Sequence, residues 1–188
     1  FSKTAKTQAE FLNRVAKLNV PLVGVDPAIV LSYRDEYKEA LGDSRGDFHV
    51  LTAHEWLTNQ LESNSLQSAV KNIAKSDRTF EWHLFPHCTE STFMPNSPKE
   101  WQHIFAQFGQ TLKVEKVGCC GMAGVFGHEF QNQTMSKDIY DVSWGKKLQG
   151  KDLNHCLATG YSCRSQVKRY EKAILKHPIQ ALLEVLNS

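Results

Sequence analysis

The chain has 188 residues, 41% hydrophobic and 22% charged, with a formal net charge of +2. That balance suits one compact domain, or one domain with a small attachment, and supplies no large positive field for nucleic acid or an anionic membrane. No apolar run approaches the roughly 20 residues that span a bilayer, and five scattered cysteines, at 88, 119, 120, 156 and 163, suit reduced thiols in a cytosolic protein better than a secreted disulfide scaffold.

The opening stretch FSKTAKTQAEFLNRVAKL predicts an amphipathic helix over 4–18, with Phe11, Leu12, Val15 and Leu18 on one side. No apolar signal-peptide core follows its basic residues. It starts in mid-pattern without an initiator Met, as a piece of a larger protein would. NVPLVGVDP (19–27) reads as a short apolar strand stopped at Asp26-Pro27. Residues 28–41 read as a helix ended by Gly42, and GDSRGDF as a turn-rich loop whose RGD triplet is a plain polar turn. A helix is expected from Val50 to about Leu61. The next stretch, ESNSLQSAVKNIAKSD, fits neither period.

RTFEWHLFP (78–86) is an aromatic-rich strand halted by Pro86. Pro98 opens a helix through Phe108, and Gly109 ends it. TLKVEKVG (111–118) alternates as a strand does. A helix is expected over 134–148, a fourth strand at HCLATG (155–160), and closing helices over 163–175 and 178–187, the last with Pro178 in its first turn. Strands alternating with helices predict an α/β fold: a short, mostly parallel sheet with helices on both faces.

In such a sheet the carboxyl ends of the strands share one edge, where open α/β folds place their sites. The residues that follow the four strands are Asp26-Pro27, His87-Cys88, Cys119-Cys120-Gly121 and Gly160-Tyr161-Ser162-Cys163. Four cysteines from three segments therefore converge. Thiolates are soft ligands suited to iron–sulfur clusters and zinc. Neighbouring side chains diverge on an extended backbone, so Cys119 and Cys120 reach two metals of one cluster, or one metal from a distorted turn. Gly118, Gly121 and Gly124 give that loop permissive dihedrals and room for a bulky group.

The competing reading is that a free cysteine is a small buried hydrophobe, which applies most to Cys156 inside a strand pattern. His87 either ligates a metal, donates to a cluster sulfur, or is a polar strand-end residue. His83 reads as structural, and Trp82, Trp101, Phe105 and Phe108 as core. The glycine loop lacks G-x-G-x-x-G and a following Gly-Lys-Ser/Thr, which excludes a nucleotide loop. HEWLT and HEFQN lack the second histidine of a zinc protease helix.

PHCTES, VGCCGMAGVFG, TGYSCRSQ and HPIQALLEVL together resemble the cysteine-rich CCG domain. That domain occurs in heterodisulfide reductase subunits, in iron–sulfur subunits of glycolate oxidase and anaerobic glycerol-3-phosphate dehydrogenase, and in large fused FAD-linked dehydrogenases. The family pattern is Cys, a long spacer, Cys-Cys-Gly, another spacer, then Cys-x-x-Cys. Here thirty residues separate Cys88 from Cys119, and the CCG triplet is intact at 119–121. The resemblance covers the chain from about residue 79 to its end. GVDPAIVLSYRDEY (24–37) is similar to the end of a preceding copy, which implies a repeat tail over 1–48 and a CCG-type domain over 49–188. Two positions depart from the pattern: Ile29 stands at the cysteine of the first copy, and Gly160 at the first thiol of the second copy's Cys-x-x-Cys.

The resemblance implies a 4Fe-4S cluster on Cys88, Cys119, Cys120 and Cys163, with Cys156 and His87 as further members and zinc as the alternative metal. Gly118, Gly121 and Gly124 form the loop around it. VDPAIVLSYRDEY and LATGYSCRSQVKR resemble the C-terminal end of large bacterial fused flavoproteins, which carry an FAD-binding module, a ferredoxin-like module and then CCG domains. This implies electron transfer during oxidation of a D-2-hydroxy acid, with D-2-hydroxyglutarate the leading candidate. The partners implied are those upstream domains of the same polypeptide, which hold the FAD, and an unidentified electron acceptor. A cytoplasmic location follows, peripheral at the inner membrane if the acceptor lies there. This part alone is expected not to turn over substrate. Two alternatives stand beside this one: a cluster-free structural or interaction module, and a thiol–disulfide relay through Cys119 and Cys120.

Overall fold

The computed structural model describes residues 1–63, 65, 66, 70 and 79–187. Most of the stretch ESNSLQSAVKNIAKSD, which fitted neither period, lies outside the described residues.

Helix α1 (Ser2–Ala16) leads into strand β1 (Leu22–Gly24). Asp26 then starts α2 (Pro27–Arg34): its carboxylate accepts the Ala28 N–H at 3.0 Å and the Ile29 N–H at 3.4 Å, and Pro27 fills the first turn. Helix α3 (Glu36–Leu41) follows, and β2 (Val50–Thr52) pairs in parallel with β1, Leu22 opposite Val50. Ala5, Ala9, Val30, Tyr37, Phe48 and Val50 form the core of this part.

The larger part is a three-stranded parallel sheet with β3 (Glu81–Phe85) between β4 (Thr111–Val114) and β5 (Cys156–Ala158). Its helices are α4 (Ala53–Glu62), α5 (Cys88–Phe93), α6 (Ser97–Gln107), α7, α8 (Tyr161–Glu171) and α9 (Pro178–Leu186). Helix α7 runs Gln133–Tyr140, takes a π turn at Asp141–Gly145 and ends at Lys146–Leu148. Successive strand residues face opposite ways. Trp82, Leu84 and Leu157 pack with Trp101, Ile104 and Phe105 of α6 and with Leu182 and Val185 of α9. Phe85, Cys156 and Ala158 pack on the other face with Tyr140 and Trp144 of α7 and Val167 of α8. Helices therefore cover both faces of a short parallel sheet, as the alternation predicts.

Four details differ from the sequence reading. The strands form two sheets rather than one, because β1 takes β2 as its partner. Val50–Thr52 is that partner and not a helix start: Thr52 and Glu55 form a capping box, so the helix begins at Ala53. The predicted helix over 28–41 is two helices, broken at Asp35. The strand expected over 111–118 ends at Val114, where its neighbour β3 runs into Pro86, which has no N–H to extend a ladder. Among the described residues, no helix is long and apolar enough to cross a membrane.

Candidate functional site

The carboxyl ends of β3, β4 and β5 open onto one edge. His87 caps α5, with Cys88 as that helix's first residue, and Cys163 lies in the first turn of α8. Cys119 and Cys120 sit in the irregular segment after β4, which α7 holds in place. The Gly118 N–H donates to Ser143 Oγ at 2.8 Å, and Trp144 Nε1 donates to the Gly118 carbonyl at 3.1 Å. Ser136 Oγ donates to the Gly121 carbonyl at 2.7 Å and is itself held by Gln166 Nε2 at 2.7 Å. Gly121 has φ of +85°, and a Cβ there would fall 2.1 Å from the Ser136 carbonyl oxygen, so no other residue fits. Gly124 also has positive φ, but open space lies around it.

All five cysteines are free thiols. Four of them neighbour one another in turn: Cys88 beside Cys119, Cys119 beside Cys120, and Cys120 beside Cys163. Cys119 lies between Cys88 and Cys120. Hydrogen bonds from Cys120 and Cys88 pull its pKa far below the ordinary thiol range, and the backbone N–H groups of Gly121 and Ala123 add to this. Gly121 N stands 3.3 Å from the sulfur. The same bond to Cys119, with burial, pushes Cys88 and Cys120 up. The arrangement sets the Cys119 sulfur between two thiols and beside the Gly121 amide.

Cys88, Cys119 and Cys120 line a hollow of about 380 Å³, together with His87, Asp26, Ile29 and Tyr161. Cys163 is buried behind Cys120 at 1% exposure. Cys156 is not one of these four. It is fully buried at the start of β5, burial pushes its thiol up to about 12, and its charged neighbours are Lys151, Glu115 and Asp152. Among the described residues, no three or more His, Cys, Asp and Glu side chains are placed to hold a metal ion.

Two features carry weight that the sequence reading did not assign. Asp26 caps α2 and also accepts the Tyr161 N–H of α8 at 2.7 Å, so one carboxylate joins the small sheet to the thiol edge. An Asp-Pro pair after a strand is a capping signal, which was there to be read. Behind the site, Glu90 is 1% exposed and accepts the hydroxyls of Ser97 and Thr159. Thr159 Oγ1 in turn accepts the His87 backbone N–H at 2.9 Å. Nothing in the local sequence marks that long-range network.

No family model matches the chain, and no solved structure matches it. It is 78% identical over 187 residues to a protein of Haemophilus influenzae named D-2-hydroxyglutarate dehydrogenase, covering 100% of this chain and 18% of that protein. A protein of the same name from Escherichia coli is 54% identical over 187 residues, with the same coverage of 100% and 18%. One from Pseudomonas putida is 41% identical over 184 residues, covering 98% of this chain and 17% of the relative. The chain is thus similar end to end to one part of these proteins, and spans 17% to 18% of their length.

Proposed function

We propose that this chain is the iron–sulfur, electron-transfer part of an FAD-linked dehydrogenase of a D-2-hydroxy acid, with D-2-hydroxyglutarate as substrate. The observation that carries this reading is the gathering of four neighbouring free thiols from three segments, three of them lining one hollow. Four thiolates are the donor set of a 4Fe-4S cluster, which takes one thiolate per iron. The names of the relatives support the substrate.

Cys88, Cys119, Cys120 and Cys163 would hold the cluster, which supplies one-electron transfer when bound. The rest falls to the chain's own residues. The N–H groups of Gly121 and Ala123 stabilise negative charge on Cys119. Ala28, Ile29 and Ala123 contribute apolar lining to the hollow. The FAD, the hydroxy acid and the ferredoxin-like module belong to other parts of the polypeptide, with an electron acceptor beyond it. Anaerobic reconstitution of the full-length protein, followed by EPR of the reduced state, tests this. A cluster signal lost in Cys119→Ser is expected, and a silent spectrum from iron-free wild type sinks the proposal.

One observation favours a second reading, a cluster-free interaction module: the described residues place no three ligands around a metal ion. Under that reading, Cys119→Ser and Cys120→Ser leave the activity of the full-length enzyme with its own acceptor unchanged.

A further inference from the structure

Gly160 has ordinary backbone angles, φ of −82° and ψ of 136°, so its conformation does not call for glycine. Its surroundings do. A Cβ at this position would lie 2.3 Å from His87 Cδ2 and 3.1 Å from Cys163 Sγ. The imidazole of His87 therefore fills the space that any side chain at 160 would take, and it stands on the same side of the chain as the Cys163 sulfur.

That imidazole is not free to swing away. The His87 N–H is tied to Thr159 Oγ1 at 2.9 Å, and Nδ1 accepts the Thr89 N–H at 3.2 Å. A ring nitrogen that accepts a backbone N–H carries no proton, so in the neutral ring the proton sits on Nε2. Nε2 lies 3.4 Å from Ser162 Oγ, and both residues line the hollow with the thiols. A metal-bound histidine normally donates its other nitrogen's proton to a second partner. Here Nδ1 accepts instead, which argues against ligation and for donation.

We infer that His87 and Gly160 act as one device, in which the glycine makes room for an imidazole fixed as an N–H donor to the sulfur site. The pairing of the two residues is independent of any metal, while the donor role rests on the iron–sulfur reading. His87 is a positioning residue that tunes the sulfurs: hydrogen bonds to cluster sulfurs are one of the factors that set reduction potential, and an N–H near sulfur favours the more negative, reduced state.

The test uses the full-length protein in two arms. The first measures thermal stability in a double-mutant cycle. Gly160→Ala is expected to lower the melting temperature in the wild-type background and to be tolerated in His87→Ala, where the space is vacant. Equal losses in both backgrounds overturn the pairing. The second arm measures the midpoint potential of anaerobically iron-loaded protein. His87→Leu and Gly160→Ala are expected to shift it downward, and His87→Gln, which keeps an N–H donor, to restore it toward wild type. Iron present with no shift in His87→Leu overturns the donor role. Wild type that takes up no iron overturns the iron–sulfur reading and the donor role with it, and the first arm then still decides the pairing.

Discussion

His177, the N-cap of α9, is 3% exposed, and burial lowers its pKa to about 3, with Arg164 pressing the same way and Asp26 opposing. An unfolded histidine titrates near 6.5, so between those values the unfolded chain binds the extra proton. The stability contributed is complete above pH 6.5 and is lost as pH falls toward 3. At pH 5 the loss amounts to about 2 kcal/mol from this residue alone. His54 and His87 are also lowered by burial and act in the same direction. Replacing His177 with Asn keeps a good N-cap and removes the titration. Hydrogen exchange of α9 should therefore show wild type weakening between pH 7 and 5, and His177→Asn weakening by that much less. An identical pH slope for both would contradict the assignment. Asp26 gives a second residue-scale expectation. Asp26→Ala removes a cap from α2 and the acceptor of Tyr161 N–H from α8. It should cost about 1–2 kcal/mol, read as faster exchange in both helices. The four thiols were legible at this scale because they follow strand ends. The Asp26 bridge and the Glu90 network were not, because they join residues 135 and 69 positions apart in the chain.

Among the elements, the CCG loop and α7 form one unit, since Ser136, Ser143 and Trp144 all bond the loop backbone. Gly121→Ala combines left-handed strain with a collision against the Ser136 carbonyl, and should cost well over about 1 kcal/mol. Gly124→Ala shares the strain but meets open space, so its cost stays near about 1 kcal/mol. Chemical denaturation of the two variants side by side checks the order, and equal losses would refute the role given to α7. Leu84 in the central strand is fully buried, and Leu84→Ala should lose about 2–5 kcal/mol. Strand β3 and helix α6 could be read from their apolar patterns, which match their burial, whereas α1 buries Ala5 and Ala9 and leaves Phe11 and Leu18 of the predicted apolar side exposed. Strand β2 could not. Three residues are too short to show a period, and the apolar Val50 and Leu51 merge with the helix that the Thr52 capping box begins.

For the whole molecule, two parallel sheets each feed a helix at their carboxyl edge. β1 leads through Asp26 to α2, with Ile29 in its first turn, and β5 leads through Gly160 to α8, with Cys163 at the same turn position. Ile29 lines the hollow and Cys163 lies at the same edge. The small-sheet part contributes Ile29 and the Asp26 capping carboxylate to the hollow. Under the proposed function this edge is where electrons from the flavin-bearing part arrive. The most direct measurement is iron and acid-labile sulfide per chain in the full-length protein purified without oxygen, wild type beside the Cys119→Ser, Cys120→Ser double variant. The account predicts iron and sulfide in equal amounts in wild type and a loss of both, at this site, in the variant. Equal contents in the two proteins would contradict it.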